Sequence, residues 1–117
     1  MKICDLQKIL QAEVVFGEEF LDNEVHSACG SDLMSDVLAY VKNQSVLLTG
    51  LLNAQAIRTA EMMDMQCIVL VRGKRPDISM IELAKEYGIV LLTTNHRMYV
   101  ACGKLYAAGL HGEEESV

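Results

Sequence analysis

Short apolar runs alternate along this chain with amphipathic segments. The runs are Val14-Val15-Phe16, Val46-Leu47-Leu48, Cys67-Ile68-Val69-Leu70-Val71 and Ile89-Val90-Leu91-Leu92. They are rich in β-branched residues, continuous rather than alternating, and bounded by Gly, Asn, Asp or Thr. A strand has this pattern when both faces of its sheet are covered, as in a parallel sheet. Between the runs the apolar positions take helical spacing. Leu33, Val37, Leu38 and Val41 share one face, as do Ile57, Ala60 and Met63. Met80, Leu83, Ala84 and Tyr87 make a third stripe, and Met98, Ala101, Cys102 and Leu105 a fourth.

Helix boundary signals agree with this division. Asp5 is placed to cap a short helix over Leu6 to Leu10, and Asn53 and Asn95 to cap later ones. Ser79 with Glu82 makes a capping box, Pro76 sits at a helix entry, and Gly88 ends the third helix just before a strand. The segment from Glu24 to Cys29 reads either as a strand or as an extended approach to the next helix. The order is helix, strand, strand, then helix and strand in repetition, then a final helix. That order predicts an α/β fold with a mostly parallel sheet of about five strands, right-handed crossovers and helices on both faces.

Composition narrows the picture. The 117 residues suit one domain over 1–112 followed by an acidic tail at 113–117, where Glu113, Glu114 and Glu115 lie. With 51% apolar residues, a core forms without metals or crosslinks. The net charge of −6, from 10 basic against 16 acidic residues, argues against nucleic acid as a partner. Cys4, Cys29, Cys67 and Cys102 include no Cys-x-x-Cys pair, so a metal site or redox motif is not expected. The amino terminus carries no secretory pattern, so reduced thiols in the cytoplasm are expected. The apolar runs fall far short of the roughly 20 residues that span a bilayer, and no membrane role is expected.

In an open parallel sheet, ligands bind outside the carboxyl ends of the strands. The loops opening there are Gly30-Ser31-Asp32, Thr49-Gly50, Arg72-Gly73-Lys74-Arg75 and Thr93-Thr94-Asn95-His96. Arg72, Lys74 and Arg75 concentrate positive charge in an otherwise acidic chain, which suits a phosphate, nucleotide or carboxylate; the same charges also suit a solvated rim. Asp32 and Asp36, four apart on a helix, suit a divalent cation or a pairing with the arginine loop, or else simple capping and solvation. Cys29, beside Gly30, is the one thiol that a helix terminus could activate. His26, His96 and His111 each stand alone, and no Gly-x-Ser-x-Gly occurs.

A phosphate loop needs Gly, four residues, then Gly-Lys-Ser/Thr. Gly-Lys occurs at 73–74 and 103–104, but the positions that need the earlier glycine hold Ile68 and Met98, and Arg75 and Leu105 follow the lysines. A dinucleotide Gly-x-Gly-x-x-Gly is absent as well. Kinase and dehydrogenase chemistry are therefore not expected, and no catalytic residue, metal or cofactor is assigned.

Several strings carry a family resemblance. They are Ala28-Cys29-Gly30-Ser31-Asp32-Leu33-Met34-Ser35-Asp36-Val37-Leu38, Leu47-Leu48-Thr49-Gly50-Leu51, Ile57-Arg58-Thr59-Ala60 and Val71-Arg72-Gly73-Lys74-Arg75-Pro76. Together they resemble the DRTGG domain family over nearly the whole chain, from about Leu6 to Tyr106, and in particular its stand-alone members. The literal Asp-Arg-Thr-Gly-Gly string is not present; Leu48-Thr49-Gly50-Leu51 stands nearest to it. The resemblance implies a fold like the amino-terminal domain of HPr kinase/phosphorylase and a non-catalytic module that often dimerises. Such modules also occur beside CBS domains in regulated pyrophosphatases.

The expected function is a non-catalytic regulatory or dimerisation domain that senses a small anionic ligand such as a nucleotide. Its expected ligand-binding residues are Ser31, Asp32, Thr49, Gly50, Arg72, Gly73, Lys74 and Arg75. The alternatives are a partner-binding subunit of a larger metabolic or redox complex, or a phosphotransfer enzyme or hydrolase. The enzyme would use Ser31, Asp32 and Asp36 with the arginine loop. A homodimer is expected from the methionine-rich Met62-Met63-Asp64-Met65 segment, which one short helix cannot wholly bury.

Overall fold

The computed structural model describes residues 1–40 and 45–112. Val41 of the first helical stripe and the glutamates of the acidic tail lie outside them. The chain begins with α1 (Ile3–Leu10), β1 (Glu13–Phe16) and a 3₁₀ turn (Glu18–Phe20). It continues through β2 (Ala28–Gly30), α2 (Met34–Tyr40), β3 (Val46–Thr49), α3 (Ala54–Met62) and β4 (Cys67–Leu70). It ends with α4 (Ile78–Tyr87), β5 (Val90–Thr93) and α5 (Met98–Ala107).

The five strands form one sheet in the order β1-β5-β4-β3-β2. The pairs β2·β3, β3·β4 and β4·β5 are parallel, so the chain steps across the sheet one strand at a time. A right-handed crossover repeated in one direction puts every connecting helix on the same face. Accordingly Met34 and Val37 of α2, Ile57 and Ala60 of α3, and Met80 and Ala84 of α4 pack with Leu47, Ile68 and Leu91 of the sheet. The other face is closed by Ile3, Leu6 and Leu10 of α1 and by Ala101 and Leu105 of α5. These pack on Leu48, Val69 and Leu92. The strands therefore alternate between two cores, and their sequences read as unbroken apolar runs because neither face meets water. β4 lies at the middle of the sheet, buried along its length.

β1 departs from the parallel pattern. It lies antiparallel to β5, with Glu13 opposite Thr93 and Val14 opposite Leu92, and the register slips before Phe16. A short link from α1 returns the chain along β5 without a crossover. The run still looks doubly covered because Val14 packs on the α1 and α5 face and Val15 and Phe16 on the face of α2, α3 and α4. Direction cannot be read from such a run. Gly17 follows in a left-handed conformation (φ +108°), against Val90, where a side chain would collide.

The helix termini follow their local chemistry. Asn53 caps α3, its side chain accepting the Gln55 N–H at 2.9 Å, and Gly88 closes α4 at φ +69°. Three caps differ from expectation. Asp5 lies inside α1 and accepts the N–H of Lys2, the residue that starts the helix. α4 is capped by Asp77, which accepts the Met80 N–H at 2.9 Å and the Ser79 hydroxyl at 2.7 Å; Ser79 lies within the helix. Those bonds hold the exposed Asp77 carboxyl below its ordinary value, the Met80 N–H contributing most. α5 starts after Arg97 rather than Asn95.

The first stripe is rotated as well. Met34 and Val37 are buried, whereas Leu33 and Leu38 face outward. The methionine-rich segment is mostly absorbed by the fold: Met65 is buried, Met63 half-buried, and Met62 69% exposed.

Candidate functional site

The loops after β2, β3, β4 and β5 all open at one end of the sheet, because these strands run parallel. Hydrogen bonds tie them into a single rim. The Ser31 N–H donates to the Leu48 carbonyl at 3.0 Å, extending the β2–β3 ladder by one step. The Ser31 hydroxyl oxygen then accepts the Leu33 N–H at 3.1 Å, closing a tight turn that aims Asp32 away from α2 and toward the next loop. Asp32 Oδ1 accepts the Gly50 N–H at 2.6 Å and the Thr49 hydroxyl at 3.2 Å. Thr49 is buried, and its Oγ1 also accepts the Leu51 N–H at 3.1 Å.

Arg72 approaches from the third loop. Its Nη2 lies 3.8 Å from Asp32 Oδ2, inside ion-pair range but beyond hydrogen-bond length. Arg72 and Gly73 take consecutive left-handed conformations (φ +62° and +68°), turning the chain sharply at the end of β4. The turn is anchored to the fourth loop: the Arg72 N–H donates to the His96 carbonyl and the Gly73 N–H to the Thr94 carbonyl, both at 2.8 Å. The guanidinium lies directly on the backbone of Gly50, where a Cβ would overlap it. Gly50 is thus small because an arginine occupies the space that its side chain would take.

Ser31, Asp32, Thr49, Gly50 and Arg72 therefore meet where the loops converge, in the crevice outside the strand ends, whereas Gly73 lines a neighbouring hollow. Lys74 and Arg75 stand apart from them. The Lys74 carbonyl accepts the Thr93 hydroxyl at 2.6 Å, and Arg75 reaches β1, where its Nη2 donates to Glu13 Oε2 at 2.7 Å. That hydrogen bond, and secondarily the arginine's charge, lowers the Glu13 carboxyl below its ordinary value. The pair flanks a second, polar hollow of about 250 Å³ lined by Gln11, Glu13, Gly73, Arg75, Thr93 and Asn95. Glu13 and Gln11 were not singled out in the sequence. They reach this end of the sheet only because β1 runs antiparallel, which no local pattern announces.

The remaining candidates are dispersed. Asp36 is exposed on α2. Among the described residues no group of three His, Cys, Asp or Glu side chains could hold a metal. His26 Nδ1 lies 3.2 Å from the Ser45 hydroxyl, and His111 stacks on Tyr106 with centroids 4.1 Å apart. Cys29 lies on β2 rather than at a helix start. Burial pushes its thiol up to about 11, with nearby Cys102 adding to the effect, so it is not activated. Burial likewise raises Cys67 and Cys102. All four cysteines carry free thiols, and no described helix is long and apolar enough to cross a membrane.

The crevice thus gathers one buried hydroxyl, one backbone N–H and one guanidinium around the Asp32 carboxylate. The sequence profile of the DRTGG domain matches residues 5–108. No curated protein matches the chain in sequence. Among solved structures, the fold is similar to that of the CBS and DRTGG domains of the regulatory region of Clostridium perfringens pyrophosphatase, complexed with its activator diadenosine tetraphosphate. The TM-score is 0.71 at 19% sequence identity. The likeness covers 93% of this chain and 47% of the other, so this chain spans about half the length of that regulatory region.

Proposed function

Because this chain belongs to the DRTGG domain family, we propose that it is a non-catalytic regulatory module that senses a small anionic ligand of the nucleotide class at the strand ends. The observation that carries this is the convergence of Thr49, Gly50 and Arg72 around the Asp32 carboxylate, at the carboxyl ends of adjacent parallel strands. Donors arranged around a carboxylate are of the type that recognises phosphate oxygens. That a similar fold stands in the regulatory region of a pyrophosphatase activated by a dinucleotide is in keeping with this reading. Ser31 shapes the crevice, while Gly73 and Arg75 line the neighbouring hollow, where a second anionic group would compete with Glu13 for Arg75, and Lys74 adds charge beside them.

Self-association belongs to the same proposal. The outward face of α5 presents Tyr99, 90% exposed, with Val100 and Tyr106 nearby, a larger apolar surface than Met62 offers. Four free thiols suit a cytoplasmic location.

The test is calorimetric titration of the full chain with ATP, diadenosine tetraphosphate and tripolyphosphate, beside Arg72→Ala. Binding by the wild type that falls about tenfold or more in the variant supports sensing at this crevice, since a charge-assisted hydrogen bond contributes roughly 1.5–3 kcal/mol. No binding by the wild type, or equal binding by the variant, sinks it.

A further inference from the structure

The donors that would recognise an anion in the crevice are already engaged. Asp32 Oδ1 takes the Gly50 N–H at 2.6 Å and the Thr49 hydroxyl at 3.2 Å, while Oδ2 faces the Arg72 guanidinium at 3.8 Å. A carboxylate accepting one backbone N–H and one hydroxyl beside an arginine has the same coordination that a phosphate oxygen would seek there. The charges of Asp32 and Arg72 also cancel locally, so the closed crevice exerts little pull on an outside anion. An oxyanion cannot join this arrangement beside the carboxylate, because two like charges would share the same donors.

We propose that Asp32 is an internal stand-in for the ligand's anionic group, a latch that a phosphate-type oxyanion must displace to bind. This rests on the sensing role proposed above and adds a regulatory step to it. Displacement moves a defined piece of chain. Asp32 sits between the Ser31 turn and the first turn of α2, and its carboxylate is the side-chain tie between that segment and the loops after β3 and β4. Leu33, the next residue, is 57% exposed, so Asp32 and Leu33 can shift while Ser31 stays on the Leu48 carbonyl and Met34 stays in the core. The loops after β4 and β5 are joined to each other by backbone bonds and stay in place. Anion binding is thereby converted into release of the β2–α2 connection, while the rest of the rim remains fixed.

The experiment compares tripolyphosphate affinity of the full-length wild type with that of Asp32→Ala, Asp32→Asn and the double variant Asp32→Ala/Arg72→Ala. Circular dichroism verifies folding. Removing the stand-in should tighten binding about tenfold or more, a gain of about 1.4 kcal/mol, and Arg72→Ala in that background should abolish the gain. Asp32→Asn, which keeps the side-chain shape and removes the charge, should lie between, and it carries the test if Asp32→Ala does not fold. If the wild type is silent but Asp32→Ala binds, the carboxylate blocks the crevice without being displaced, and native sensing and the latch both fail. If the wild type binds and Asp32→Ala binds equally or more weakly, sensing stands and the latch is overturned. If no variant binds tripolyphosphate, the latch is overturned as well.

Discussion

Replacing Gly50 by alanine separates the crevice's role in binding from its role in stability. Gly50 does not have the positive φ that would strain an alanine, so the backbone accepts the change. The new Cβ, however, would overlap the Arg72 guanidinium, and the arginine must swing away. It can do so cheaply, because its side chain is already 47% exposed and its bond to Asp32 is long at 3.8 Å. An exposed ion pair of this kind contributes about 0–1 kcal/mol. Against that loss, a compatible Gly→Ala change stabilises by about 0.4–1 kcal/mol through the unfolded chain. The two nearly cancel, and the folding free energy of Gly50→Ala should stay within about 1 kcal/mol of the wild type. Ligand binding should respond differently. With the guanidinium displaced, one charge-assisted contact worth roughly 1.5–3 kcal/mol is lost, and affinity for tripolyphosphate should fall about tenfold to a hundredfold. Urea denaturation measures the first quantity and calorimetric titration the second; the Arg72 side-chain N–H resonance in an NMR spectrum reports whether it has moved. Destabilisation beyond about 2 kcal/mol, well outside the cancelling terms, or an unmoved Arg72 resonance, would refute the packing argument. Unchanged affinity despite a displaced Arg72 would refute its role in binding.

Other consequences follow from the fold and the titrating groups. Ile68 is fully buried on the central strand between α2, α3 and α4, so Ile68→Ala should cost about 2–5 kcal/mol in urea denaturation; a smaller loss would mean that the core relaxes around the gap. Glu13 and Asp77 both have lowered values when folded, from ordinary values of 4.5 and 3.8. Their contribution to stability is therefore present above those values and lost as the pH falls through the lowered folded ones. Glu13→Gln with Asp77→Asn should flatten that acid limb of the melting profile, and an unchanged limb would show that other carboxylates govern it. With its thiol pushed up to about 11, Cys29 should react slowly with iodoacetamide at pH 8 until urea unfolds the chain, since the thiolate is the nucleophile; rapid labelling of the native protein at Cys29 would contradict its burial.

Much of this protein is legible in one dimension. Continuous apolar runs at Val46–Leu48, Cys67–Val71 and Ile89–Leu92 specify doubly covered strands, and the helical stripes between them specify crossovers, because side-chain period follows local backbone geometry. The direction rule for crossovers then places the loops after β2, β3, β4 and β5 at one end of the sheet, and with them the crevice residues Ser31, Asp32, Thr49, Gly50 and Arg72 and the neighbouring Gly73. Local chemistry also marked Asn53 and Gly88 as helix boundaries.

What the tertiary structure alone decided concerns partners distant along the chain. Nothing near Val14 tells it to run antiparallel to β5, yet that choice carries Glu13 to Arg75 and divides the basic cluster into two unlike parts. Asp32 and Asp77 belong to similar capping-type sequences. Asp77 caps its own helix, whereas Asp32 turns outward to the loop after β3 because a neighbouring parallel strand brings the Gly50 N–H within 2.6 Å. Sequence pattern encodes which groups a residue can bond, and the sheet decides which of them arrives first.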